Sequence, residues 1–333
     1  MNRDSNRKVR PLTAALVLAG LLLLAPASQA EESVVYTADE ESLAAHEAAP
    51  DWFRDAKFGI YFHWGPYSVA AYSSEWYPRL MHFGGVEIPG VNSADLPRPE
   101  VYEHHVDNWG PLNEFGYHDF VPLFTAEHFD ADEWADLFKA SGAQFAGPVG
   151  EHHDGFAMWD SDVTPWNVAD MGPKRDITGE LAKAVRKRGM KLVATFHHAR
   201  NLQRYANNKD HAASNTKLNY TERFRNSHYP YLKGMPPTST DPKLRLLYGN
   251  MPDEEWLERM WLGKLKEVID RYQPELIWFD SWLDQIPEPY LQRFCAYYLN
   301  HPTASGVLPV ITRKQEDLPL SVSLEDFEKG RLD

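Results

Sequence analysis

The sequence predicts an α/β chain folded as a (β/α)8-like TIM barrel that is incomplete at its C-terminal end. Three observations carry this. A helix, a short turn, an apolar strand and a polar cluster follow one another three times along the chain. A fourth apolar run, Phe58 to Phe62, ends the same way, at His63-Trp64-Gly65. No Gly-rich phosphate loop follows the first strand, where a doubly wound sheet would usually carry one.

The elements follow in order. Arg3, Arg7, Lys8 and Arg10 precede an apolar run from Leu12 to Ala27, and Ser28-Gln29-Ala30 supplies the small residues of a cleavage site. The run is shorter than the roughly 20 residues a membrane span needs, so residues 1–30 read as a cleaved secretory signal peptide. A short membrane anchor is the structural alternative. Residues 31–333 form the barrel domain. After the strand Phe58 to Phe62 comes a long loop, Pro78 to Asp119, rich in Pro, Gly, Asn and His. Asp130 and Glu133 open a helix in which Trp134, Leu137 and Phe138 recur at turn spacing, and Gly142 closes it. The strand Gln144 to Gly150 leads into Glu151-His152-His153-Asp154-Gly155. A helix from about Thr178 to Arg188 precedes the strand Lys191 to Phe196, which ends in His197-His198. A polar stretch, Ala199 to Asn250, interrupts the pattern. The next helix, about Asp253 to Tyr272, has Trp256, Met260, Trp261, Leu265 and Ile269 as its apolar stripe. The strand Glu275 to Phe279 then ends in Asp280, and two further strands read at Leu308 to Thr312 and Leu320 to Phe327. That makes six strands where a closed barrel has eight, so the chain is expected to be truncated.

Composition narrows the function classes. Asp plus Glu number 48 against 34 Lys plus Arg, a formal net charge of −14. Such a balance argues against nucleic acid or an anionic membrane as the main partner. The single cysteine, Cys295, precludes an intrachain disulfide and a cysteine-rich zinc site. With a secretory leader, this points to a bacterial periplasm or exterior.

In a (β/α)8 barrel the strand C-termini form the active face, so the polar clusters there are the candidate chemistry. Asp280 follows four apolar residues and lies between Trp278 and Trp282. A carboxylate there is costly to bury unless it is used or paired. Capping of the next helix, or pairing with an arginine, is the structural alternative. Adjacent strand residues face opposite ways, so one of His152 and His153 could simply be packed, although both can reach the mouth at a fanning strand end. His63 could equally be a satisfied core histidine. Trp64, Glu75, Trp76 and Tyr77 add rings and a carboxylate. Aromatic faces with imidazoles and carboxylates suit a sugar, whose C–H faces stack while its hydroxyls hydrogen-bond. Most of the 11 Trp nevertheless belong to core packing.

Several motifs, in order, resemble those of glycoside hydrolase family 29, the α-L-fucosidases. They are Ala56-Lys57-Phe58-Gly59-Ile60-Tyr61-Phe62-His63-Trp64-Gly65-Pro66-Tyr67-Ser68, Glu75-Trp76-Tyr77, Glu151-His152-His153-Asp154-Gly155-Phe156, Gly172-Pro173-Lys174-Arg175-Asp176 and Leu276-Ile277-Trp278-Phe279-Asp280. The resemblance implies a retaining exo-α-L-fucosidase acting on fucosylated glycans, with no cofactor and no metal, on a barrel that a β-sandwich follows in the family and that lacks it here. It implies Asp280 as nucleophile, His63, Glu75, Trp76, His152 and His153 as fucose ligands, and Trp278 as pocket lining. Family members often have Lys where this chain has Glu151, and a Tyr-Tyr-Ser run where it has Thr195-Phe196-His197-His198. His197 is the candidate replacement for the sugar-touching Tyr. Retaining chemistry needs a second carboxyl group roughly 5 Å from the nucleophile. The run Leu324-Glu325-Asp326-Phe327-Glu328 offers Glu328 first and Glu325 second as acid/base, a solvated strand end being the structural alternative for both. Two rival functions remain: a metal-dependent barrel hydrolase built on His63, His152, His153, His197 and His198, and a non-catalytic sugar-binding protein.

Overall fold

The computed structural model describes residues 34–84, 98–202, 228–229, 234–280, 282–314, 318–319 and 321–326. The leader at 1–30 and Glu328 therefore lie outside the described residues.

Six strands form one parallel sheet: β1 Gly59–Phe62, β2 Phe145–Glu151, β3 Lys191–Phe196, β4 Leu276–Phe279, β5 Val310–Arg313 and β6 Leu324–Glu325. Their order in space is their order in sequence. A doubly wound sheet reverses its order at a switch point, and this one does not. The sheet is also rolled. Tyr61 of β1 stacks on Trp278 of β4 with ring centroids 4.8 Å apart. In a flat sheet three strand spacings, about 14 Å, would separate those strands. Only a barrel-like curl brings their inner faces together.

Strand alternation sorts the side chains into two cores. Gly59, Tyr61, Phe145, Val193, Leu276, Trp278, Thr312 and Leu324 point inward around a cavity of about 290 Å³ to which every strand contributes. Residues of the opposite parity, such as Ala146, Leu192, Ala194, Phe196, Ile277, Phe279 and Ile311, join the larger core beneath the helices. Two glycines admit this curl. A Cβ at Gly59 would lie 2.0 Å from the Phe145 ring, and one at Gly147 would lie 1.8 Å from the Val193 carbonyl oxygen.

The helices largely start where the sequence signals them. Asp130 caps helix Ala131–Ala140, its carboxylate accepting from the Asp132 and Glu133 amides at 2.8 and 3.0 Å. Phe138 and Ala135 are buried and Trp134 packs on Phe62, but Leu137 is 67% exposed. Leu137 sits about 100° around the helix from Phe138 and so falls outside the stripe. Helix Ile177–Lys187 buries Leu181 and Val185 as the periodicity predicts. The run Asp253–Glu255, Trp256–Gly263, Lys264–Tyr272 is a single helical path with a π-helical middle. That wider turn lets Trp256, Leu257, Met260 and Trp261 all be buried.

Other elements depart from the sequence reading. The first long loop contains helix Pro99–Trp109, and the second contains helix Pro242–Tyr248. Helix Glu288–Asn300, between β4 and β5, carries Pro289 in its first turn and a broken apolar pattern, and the sequence reading passed over it. Strand β5 begins only at Val310, with Leu308 48% exposed. Strand β6 is two residues, not the eight-residue run Leu320 to Phe327. The amides of Val322 and Ser323 both turn back onto the Pro319 carbonyl, so the chain there forms a turn instead of a strand.

The packing makes a direct test possible. Gly147→Ala is expected to cost roughly 2–4 kcal/mol, because the obstacle is backbone and cannot rotate away. Leu137→Ser should stay within about 0.5 kcal/mol of wild type. Urea unfolding midpoints for the two variants check both.

Candidate active site

The inward parity of the strands continues one step past their C-termini. In β1 it runs Gly59, Tyr61, His63; in β3 Val193, Thr195, His197; in β4 Leu276, Trp278, Asp280; in β5 Val310, Thr312, Lys314; and in β6 Leu324, Asp326. Phe279 pairs with Arg313 and Arg313 with Glu325, so Asp280, Lys314 and Asp326 occupy one layer. Strand β2 contributes differently. Its register slips between Val149 and Glu151. A bulge of this kind re-aims the side chains beyond it. Both His152 and His153 then face the mouth, their rings 4.6 Å apart and 5.8 and 5.2 Å from Trp76.

Asp280 is 8% exposed. Its Oδ1 accepts from Lys314 Nζ at 2.9 Å, and its Oδ2 lies 3.6 Å from both His153 Nε2 and His197 Nδ1. Burial alone would raise the carboxyl pKa. The His153 and His197 imidazoles and the Lys314 ammonium outweigh it and hold Asp280 well below the usual carboxylate range. The group is a buried, ionised carboxylate at neutral pH.

Burial pulls the imidazoles around it toward their neutral form, and Asp280 pulls His153 and His197 the other way. Burial and the neighbouring imidazoles push His152 well below its ordinary pKa, and burial does the same to His197 against the pull of Asp280. His153 is lowered by burial, opposed by Asp280, and His228 is lowered well below by burial and by His153. His63 sits 5.4 Å from His152 and 5.0 Å from His197, ring to ring. A neutral imidazole offers one donor and one acceptor, which matches a hydroxyl, itself both donor and acceptor.

Aromatic rings and one guanidinium wall the pocket. Trp278 lies 5.4 Å from His197, and its Nε1 donates to Asp326 Oδ2 at 2.8 Å. Arg200 is sandwiched between Trp76 at 5.1 Å and Trp282 at 4.4 Å. Glu75 is half-buried and near enough to Tyr67 to raise its hydroxyl pKa, after burial and Asp154. The Tyr67 ring in turn lies 5.6 Å from His152.

The structure thus brings His63, Trp76, His152, His153, His197, Trp278 and Asp280 together, with Glu75 alongside. It separates others. Trp64 turns outward onto Phe124, Phe129 and Trp134. His198 stacks on Trp261 and bonds the Trp261 carbonyl at 3.1 Å, a packing role away from the cluster. Glu325 shares the register of Arg313, yet with Leu324 and Asp326 it still lines the inner cavity. Lys314, Asp326, Arg200 and His228 are the pocket residues that the sequence reading missed. For Lys314 and Asp326 the available signal was parity counted beyond the strand ends. The other two come from segments with no regular period.

Among the described residues, two sets of donor atoms could hold a metal: His63, His152 and His197, and His153, His197 and Asp280. In each, one ligand atom per residue lies within 4.8 Å of the others.

Glu151 turns away from the pocket. It is 1% exposed and meets the equally buried Lys264 ammonium at 2.6 and 2.8 Å. Next to it, Asp154 is buried beneath the His pair. Its carboxyl accepts from the Tyr117 hydroxyl at 2.5 Å, and its carbonyl accepts from the Tyr229 hydroxyl at 2.8 Å. Burial pushes its pKa up to about 7, against the Tyr117 hydrogen bond.

Removing one partner of the Glu151–Lys264 pair leaves a buried charge unpaired. Lys264→Met should therefore destabilise the fold by about 3–5 kcal/mol, and Glu151→Leu with Lys264→Met should recover most of that. Equilibrium denaturation of the single and double variants is the check. A single variant as stable as wild type would show that the pair does not hold this strand end.

The α-L-fucosidase family profile matches residues 23–326. Human tissue α-L-fucosidase is 33% identical over 298 residues, covering 86% of this chain and 51% of that protein. The rat tissue enzyme is 34% identical over 81% of this chain and 48% of its own length. The chain thus spans about half the length of these relatives. Among solved structures, Thermotoga maritima α-fucosidase in complex with fucose is 29% identical with a TM-score of 0.55, covering 83% of this chain and 58% of that one. The same enzyme in complex with a mechanism-based inhibitor is 30% identical with a TM-score of 0.55, covering 85% and 57%. A family match across most of the sequence, on a sheet rolled in the same strand order as the motifs, settles the affiliation: this chain belongs to the α-L-fucosidase family, glycoside hydrolase family 29.

Proposed function

We propose that this chain is the catalytic portion of a retaining exo-α-L-fucosidase, which removes terminal α-L-fucose from glycans through a covalent intermediate on Asp280. The observation that carries the reading is the ionised Asp280 carboxylate, buried in a pocket of neutral imidazoles and aromatic rings. Neutral sugar hydroxyls suit His63, His152, His153 and His197, with Glu75 as a further acceptor, while Trp76 and Trp278 suit the apolar ring faces. The Thermotoga maritima enzyme, whose fold is similar, is known in complexes with fucose and with a mechanism-based inhibitor, which supports the assignment of substrate and chemistry.

The chemistry runs in two displacements. Asp280 attacks the anomeric carbon as the glycosidic C–O bond breaks, and a carboxylic acid gives its proton to the leaving oxygen. Water then attacks the same carbon, that carboxylate takes its proton, and the bond to Asp280 breaks with net retention. Lys314 stabilises the free carboxylate before attack and after release. The proton donor is assigned to the chain just past β6. Glu328 is our choice there. Glu325, which lines the inner cavity, is the second choice, and Asp326 beside it is already committed to the Trp278 indole. The chain is proposed to reach its glycans as a secreted or periplasmic protein, on the strength of the leader at residues 1–30, with no nucleic acid or membrane as partner.

Asp280→Gly should lose turnover by several orders of magnitude while keeping fucose affinity, and azide should restore turnover as an azido-sugar product. Near wild-type turnover in this variant would remove Asp280 from the mechanism. For the acid/base, Glu328→Ala should still cleave a dinitrophenyl fucoside quickly, since that leaving group needs no proton, but should lose most of its rate on an alkyl fucoside. Unchanged rates on both substrates would transfer the role to another carboxylate.

The clustered imidazoles favour one second reading, a metal-dependent hydrolase. The Lys314 ammonium already supplies the counter-charge at Asp280, so activity should survive dialysis against a chelator. Loss on chelation with recovery on adding one divalent metal would turn the assignment to that second reading.

A further inference from the structure

We infer that the mouth of the barrel is also an inhibitory transition-metal site, in which His63, His152 and His197 capture a zinc-like divalent cation in the space the sugar would occupy. One nitrogen from each of these three rings lies within 4.8 Å of the others. A tetrahedral zinc with nitrogen at about 2.0–2.1 Å needs its ligand atoms roughly 3.4 Å apart. Small rotations about side-chain torsions close that gap.

Two features beyond proximity make the set a ligand set. Donor atoms are available: His152 Nδ1 and both nitrogens of His197 are buried without a hydrogen bond of ordinary length. They are also soft-to-borderline nitrogen, which selects zinc, nickel or copper over magnesium or calcium. Asp280 adds a nearby negative charge, and with His153 and the shared His197 it forms the second possible donor set. His197 belongs to both sets, so it is the residue on which capture depends most.

The consequence is competition. The nitrogens that would meet sugar hydroxyls become metal ligands, so the two occupants exclude each other. Zinc should bind one ion per pocket and act as a competitive inhibitor, raising apparent KM with kcat unchanged. At ten times its dissociation constant that rise is about ten-fold. The inhibition arm rests on the fucosidase reading, whereas the binding arm does not.

The test is calorimetric titration of the full chain with zinc chloride in a non-chelating buffer. Wild type should bind one zinc, His197→Ala should lose at least about ten-fold in affinity, and His63→Ala should do likewise. Because His63 is only partly buried, His63→Ala keeps the test valid should His197→Ala fail to fold. His198→Ala removes a histidine adjacent in sequence but outside the cluster, and should bind zinc as wild type does. Magnesium chloride should give no heat of binding. The inference is overturned if wild type binds no zinc, or if His63→Ala and His197→Ala both bind it unchanged. It is overturned also if saturating fucose, itself seen to bind in metal-free buffer, leaves zinc affinity as it was. A chain that binds zinc at these residues but neither binds nor cleaves a fucoside would keep the metal site and lose the fucosidase reading.

Discussion

A carboxylate on the inner face of a rolled sheet cannot remain ionised unless the neighbouring strands supply compensation, and this constraint organises the active end of the barrel. Burial pushes Asp280 toward its neutral form, in which it would be a poor nucleophile. Compensation comes from both sides: Lys314 just past β5, and the segments following β2 and β3 through His153 and His197. These contacts require the strands to hold their register, because a one-residue slip would turn Lys314 or His197 to the outer face. The sheet's geometry and the charge state of Asp280 are therefore one problem.

The same geometry explains why the pocket is rich in histidine but carries little fixed charge. A second permanent cation set against Asp280 beside Lys314 would overbalance its charge. Imidazoles in a desolvated cluster avoid this by staying neutral, and each then presents a donor and an acceptor to the mouth. The guanidinium of Arg200 lies against two indole faces, where the attraction of a cation for the ring quadrupole offsets part of its desolvation. The two pocket cations are thus either paired, as Lys314 is with Asp280, or laid against aromatic rings, as Arg200 is.

Much of this was legible in the sequence because barrels are written in two short periods. The apolar runs and the cap Asp130 located four strands and three helices to within a few residues, whereas the Asp176 cap emerged only in the structure. The polar clusters after those strands held Asp280, His63, His152, His153 and His197. What escaped had no period. Helix Glu288–Asn300 presents aromatic, polar and charged residues on all sides, and its buried face, Phe294, Cys295 and Tyr298, is too short to stand out. His228 and Arg200 reach the pocket from irregular chain, and only the folded molecule brings them near His153. Leu137 failed for the opposite reason: its spacing fits a helix, yet the buried stripe is narrow enough to exclude it.

The two departures from the family's motifs turn out to be physically unlike each other. His197 stands where the resemblance led one to look for a sugar-touching Tyr, and it faces the pocket 3.6 Å from the nucleophile candidate. That exchange replaces a phenol by a neutral imidazole and alters the surface a ligand meets. Glu151 stands where a Lys is common, but it lies beyond the bulge on the outer parity and its charge is met by Lys264 from the helical run behind the sheet. The acidic residue on the strand and the basic residue on the helix make a pair whose net charge is zero, so little of its field reaches the mouth. Its work is to anchor the irregular end of β2, from which both His152 and His153 project. A departure next to the active residues in sequence can thus be remote from the chemistry, because one step along a strand is a change of face.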